Sequence, residues 1–136
     1  MCGISIALWL AMNVILQIAL GGALGAVLRY ASVQGAVRLF GLGTPVGTVF
    51  VNILGSFLMG VIAVWMLERI GEPRFAPFLM AGLLGGFTTF SAFSLDAINL
   101  WEQGRQMAAM IYVTGSVFGA IIALLAGVLT MRAVLA

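Results

Sequence analysis

Histidine and lysine are absent from this 136-residue chain, cysteine occurs once, at Cys2, and charged residues make up only 7%. Without histidine there is neither a Ser-His-Asp triad nor an imidazole metal ligand, and a lone cysteine builds no internal disulfide or Cys-His zinc site. These absences argue against an enzyme. The six basic residues are all arginines, scattered against four acids. A pI near 9.3 therefore reflects a small arginine excess and not a nucleic-acid-binding patch.

What is present is apolar: 63% of residues are hydrophobic and the mean hydropathy is +1.22. A soluble domain needs more polar residues than this to keep a wet surface. A bilayer core takes ~20 apolar residues per helical span, so the length accommodates about four spans with short loops. The reading is an all-α integral membrane protein forming a single transmembrane domain over 1–136. A spanning β-barrel is excluded, because the segments are apolar nearly all round and do not alternate.

The spans are expected at about 4–28, 46–67, 75–100 and 107–131. Arg29-Tyr30 suits a membrane interface at the end of the first. A cleaved signal peptide is the alternative for this run, but no positive residue precedes it and the apolar stretch is too long for an h-region. Residues 31–40 mix Gln34 and Arg38 with apolar positions and are expected at the surface, before the turn residues Gly41-Leu42-Gly43-Thr44-Pro45. Glu68, Arg69, Gly71, Glu72 and Pro73 mark a second loop, and Trp101 to Arg105 a third. In the third helix Gly82, Gly85 and Gly86 precede Thr88 and Thr89, which predicts a break near its middle.

Four spans place both termini and the second loop on one side of the membrane. Arg69, Arg74 and Arg132 fall on that side and Arg29, Arg38 and Arg105 on the other. The positive-inside rule then favours neither orientation, and a chain that inserts both ways can assemble as an antiparallel pair.

Four groups of polar or small residues are candidates for function. Thr48, Asn52, Gly55 and Ser56 share a face of the second helix. Gly55 and Ser56 fit a small-residue packing seam. Asn52 reads equally as interhelical glue or as a donor to a pore. On the fourth helix Tyr112 and Ser116 present hydroxyls on one face, able to donate to a dehydrated anion, while Gly115 and Gly119 suit close packing. Gly21 and Gly25 form a packing motif in the first. The densest run is Gly85-Gly86-Phe87-Thr88-Thr89-Phe90-Ser91-Ala92-Phe93-Ser94. Phe90 and Phe93 fit core or lipid contact, or rings whose positive edges solvate a small anion weakly enough for conduction. A break beside them would free carbonyls for a small cation. Asp96 reads as a helix-end interfacial acid, the alternative being a partner for an arginine, and Glu68, Glu72 and Glu102 as loop charges.

That run resembles the GG-x-TTFS-x-FS signature of the Fluc, or CrcB, fluoride channels. Gly22-Ala23-Leu24-Gly25-Ala26-Val27-Leu28-Arg29-Tyr30 and Gly47-Thr48-Val49-Phe50-Val51-Asn52-Ile53-Leu54-Gly55 match elsewhere, so the resemblance extends across all four helices. It implies a multi-pass protein of the bacterial inner membrane that forms a dual-topology antiparallel homodimer with two pores and exports fluoride passively. It further implies Phe90 and Phe93 as fluoride-contacting rings, with Asn52 and Ser91 close by and Thr48, Tyr112 and Ser116 along a polar track. Arg29 would be a vestibule arginine, and the Gly85 and Thr88 carbonyls of both subunits would hold a central structural sodium ion. One departure is Ala120, where the family's track can carry a further hydroxyl. The rival readings are a small multidrug-type proton-coupled exporter, for which the first helix lacks an acid, and a non-transporting scaffold subunit.

Overall fold

The computed structural model describes residues 2–41, 45–70 and 74–136, with side chains from residue 11 onward apart from 69 and 70. All regular structure among them is helical: α1 (Cys2–Phe40), α2 (Val46–Trp65), α3 (77–87), α4 (Ser91–Glu102) and α5 (Gln106–Leu135). Four stretches are long and apolar enough to cross a membrane: Ala11–Phe40, Val46–Glu68, Pro77–Glu102 and Gln106–Leu135. The third combines α3 and α4.

The first helix does not end at Leu28. It continues to Phe40, because neither Arg29 nor Tyr30 interrupts helical hydrogen bonding and no proline falls in the run. At 39 residues α1 is about 58 Å long, well beyond a ~30 Å hydrocarbon core. It stops at Gly41, whose φ of +81° is the left-handed conformation that glycine adopts without strain. Residues 31–40 therefore form a helical end and not a surface segment of their own. Val33 lies against the start of α2, where a Cβ on Gly47 would come within 2.8 Å of its Cα. The turn residues 42–44 and the loop residues Gly71, Glu72 and Pro73 lie outside the described residues.

After Trp65 the chain keeps winding as a wider π-helix over Met66–Ile70, so Glu68 sits on a helical turn and not in a loop. Its carboxylate is 3.8 Å from the Arg132 guanidinium near the end of α5. Both side chains are exposed, so the pair adds little stability. It does place these two helix ends side by side.

Glycines fix how the helices cross. A Cβ on Gly21 would lie 2.8 Å from the Leu83 nitrogen, and one on Gly25 2.8 Å from the Phe87 nitrogen, so α1 and α3 run parallel with their backbones nearly touching. Gly60 and Gly127 do the same for α2 and α5, facing the Leu124 and Phe57 carbonyls. Close approach of this kind replaces the hydrophobic drive that is missing between helices in lipid. Most large apolar side chains, such as Val27, Ile111 and Leu129, remain exposed on the outer faces. The buried interior is thin: Phe93, Leu100, Ala109 and Tyr112 form its main apolar cluster.

Candidate functional site

The site grows from the link between α3 and α4. Helical winding stops at Phe87, Thr88 is extended (φ −80°, ψ 159°), and α4 starts at Ser91. Thr88 still bonds back to Leu84 through its N–H (3.0 Å) and its hydroxyl (2.9 Å). In a continuous helix the Thr89 N–H would go to the Gly85 carbonyl. It goes instead to Oδ1 of Asn52 at 2.7 Å, while Asn52 Nδ2 donates to the Thr89 carbonyl at 2.9 Å. One amide thus satisfies both backbone groups of an interrupted residue, as a neighbouring strand would. The Thr89 hydroxyl then accepts the Ala92 N–H at 3.2 Å, capping α4, with the Ser91 hydroxyl 3.3 Å away.

Asn52 is therefore the pin that holds the link to α2, which is the interhelical role left open by the sequence. Its second amide hydrogen remains available beyond that pairing.

The two phenylalanines stand in unlike surroundings. Phe93, on α4, is 7% exposed; Phe90, just before α4, is 77% exposed. Their ring centroids are 5.4 Å apart at 45°, and Phe93 continues to Tyr112 at 5.3 Å and 36°. Tilted pairs of this sort turn ring edges toward neighbouring ring faces.

Two polar regions flank Phe93. In one, Thr48 Oγ1 donates to Asp96 Oδ2 at 2.7 Å and Tyr112 donates to the same oxygen at 3.3 Å. Asp96 is accordingly not a helix-end interfacial acid: it lies inside α4 and ties α2 to α5. The sequence carried the signal, since an ionisable residue within an apolar span marks a polar site by default. In the other region a cavity of about 360 Å³ opens between α2, the α3–α4 link and α5. Asn52, Ser56, Thr88, Thr89 and Ser116 bring polar groups to its wall; Phe90, Phe93, Met59, Ala120 and Leu124 bring apolar ones. Ser116 is 5% exposed, and its Oγ is buried with no hydrogen-bond partner among the described residues.

The structure thus brings Asn52, Phe90, Phe93 and Ser116 to one cavity and sets Thr48 and Tyr112 beside it on Asp96. Ser91 is exposed at the head of α4. Arg29 lies one helical turn, about 6 Å, beyond the contact of Gly25 with Phe87. Ser56, read from sequence as part of a packing seam, faces the cavity instead.

Four spans long and apolar enough to cross a membrane, with a pocket of ring carbons and hydroxyls between the last three, define a small multi-pass membrane protein. Residues 16–128 match the model of the family described as CrcB-like protein, Camphor Resistance (CrcB). The chain is 56% identical over 118 residues to the fluoride-specific ion channel FluC of Cereibacter sphaeroides, covering 87% of this chain and 94% of that one. It is 49% identical over 121 residues to the protein of that name from Paracoccus denitrificans, covering 89% and 96%. With that from Rhizobium meliloti it shares 47% over 123 residues, covering 90% and 98%. The chain belongs to the CrcB family.

Proposed function

We propose that this chain is a fluoride channel, working as an antiparallel dual-topology homodimer with two pores in the bacterial inner membrane. The observation that carries the reading is the buried Ser116 hydroxyl, without a partner among the described residues, on the wall of a cavity that Phe90 and Phe93 also line. A buried hydroxyl without a partner is unfavourable, and a small dehydrated anion accepting its proton removes the penalty. The curated relatives named as fluoride-specific channels point the same way. Phe90 and Phe93 offer ring edges, Asn52 its second amide hydrogen and Ser91 a further hydroxyl, whereas the Thr48 and Tyr112 hydroxyls expected along the polar track already give their protons to Asp96. None of these is a full positive charge, so the anion is held weakly enough to leave. Arg29 raises the local anion concentration at a pore mouth.

Export is passive. Fluoride enters cells as the neutral weak acid, ionises in the less acidic cytoplasm and leaves through the pore as the anion. The even arginine distribution, three on each side, supports insertion in both orientations.

The third span is broken near its middle, and the break serves a second ion. With the Thr89 N–H committed to Asn52, the Gly85 carbonyl lacks its regular helical donor, and Thr88 is extended beside it. Uncharged carbonyl oxygens suit a hard, singly charged cation. Gly85 and Thr88 of two subunits would hold a structural sodium, which supplies positive charge at the centre of the dimer.

The test is reconstitution into liposomes with a fluoride electrode, comparing fluoride with chloride. Rapid fluoride efflux without comparable chloride efflux is the expected result. Drug-dependent proton flux without fluoride efflux would establish the exporter reading instead, and neither flux would leave a scaffold subunit.

A further inference from the structure

The polar groups on the cavity wall divide into committed and free ones. Asn52 is paired with both backbone groups of Thr89. The Thr88 hydroxyl gives its proton to the Leu84 carbonyl. The Thr89 hydroxyl accepts from Ala92 and lies against Ser91. That leaves two hydroxyls on the cavity wall with no hydrogen bond to any described residue: Ser116 on α5 and Ser56 on α2.

The spacing along each helix gives Ser56 its meaning. Four residues beyond Ser116, α5 presents Ala120, and eight beyond it Leu124, both lining the cavity and neither a donor. Four residues beyond Asn52, α2 presents Ser56, with Met59 next on the same wall. Because α2 and α5 run parallel, each step of four residues advances by about 6 Å in the same direction. Where α5 runs out of hydroxyls, α2 supplies one.

We propose that Ser56 is an anion-liganding residue of this channel, donating its hydroxyl proton to permeating fluoride along the stretch where α5 carries only Ala120 and Leu124; Gly119 packs on Ile53 and Gly60 on Leu124, which sets Ser56 between those two levels. The donor path therefore changes helix, from Ser116 on α5 to Ser56 on α2. Beyond Ser56 the wall becomes apolar with Met59 and Leu124, so Ser56 is the last hydroxyl before that stretch. The inference rests on the fluoride-channel reading and assigns one further residue to the same cavity.

The experiment uses the full-length protein in liposomes and compares the wild type, Ser56→Ala, and Ser56→Ala with Ala120→Ser, each first checked for an unchanged elution profile in detergent. Losing one hydrogen bond to a charged ion should lower fluoride efflux in Ser56→Ala by about tenfold or more. Ala120→Ser in that background should restore much of it, because it returns a donor to the same stretch of the cavity wall from α5. If Ser56→Ala does not fold, Ser56→Cys, nearly isosteric but a weak donor, replaces it with the same expectation. Wild-type efflux that persists undiminished in the Ser56 variant overturns this assignment alone. A wild type without fluoride efflux overturns the channel reading itself.

Discussion

The polar groups on the two sides of Phe93 are of similar kind but end differently. On one side, the hydroxyls of Thr48 and Tyr112 both point at Asp96, so the protein supplies its own anion to its own donors. On the other, Ser116 and Ser56 face an open cavity, and the buried Ser116 Oγ has no partner there. A polar network that is satisfied internally stabilises the packing of helices. A donor left unsatisfied in a cavity stabilises nothing until something enters, which is the property a binding or conducting site needs. The difference separates residues that hold α2, α4 and α5 together from residues that are free to meet an ion, although all of them occupy the same faces of their helices.

The largest effect expected from testing this contrast belongs to neither side but to the pin between them. Asn52→Leu strands both backbone groups of Thr89, at a cost of roughly 2–6 kcal/mol. A lowered unfolding midpoint in detergent, together with lost fluoride efflux, is expected; an unchanged midpoint would show that the α3–α4 link holds its shape without Asn52.

Next comes the satisfied side. Thr48→Val removes a 2.7 Å bond to a carboxylate, and such bonds contribute about 1.5–3 kcal/mol. Combined with Asp96→Asn, its effect should fall short of the sum of the two single changes, because both act on one interaction. Strict additivity in a double-mutant cycle would dissolve the cluster.

The smallest stability effect belongs to the open side. Ser116→Ala deletes a hydroxyl with no partner and should be neutral or stabilising, within about 1 kcal/mol. Fluoride efflux should nevertheless fall. A variant that is clearly destabilised would mean that Ser116 is a packing residue like Thr48, and the contrast would collapse.

Much of this was legible before any coordinates. The four spans follow from run lengths. Asn52 and Ser116 stand out by type and spacing, whereas Phe90 and Phe93 read by default as core or lipid contact and become site candidates only through the resemblance to the family signature. Other features were not legible. Residues 31–40 have no feature that separates a helix continuing past Arg29 from an interfacial segment, because arginine and tyrosine are compatible with both. Asp96 reads as an interfacial acid from its nearness to the helix end, while its partners lie 48 and 16 residues away along the chain. Ser56 reads better as part of a packing seam, and only the position of the cavity decides which way its face looks.

By itself, then, the sequence determined the solvent, the number of crossings and the inventory of donors, since these depend on composition and local periodicity. Only the tertiary structure decided which donors are spent and which are free. That assignment depends on contacts between residues far apart in the chain: Thr89 with Asn52, Asp96 with Thr48 and Tyr112, and the glycine crossings that set each helix at its depth against the next. Hydrogen-bond partnership is a property of positions in space, and no run of neighbouring residues encodes it alone.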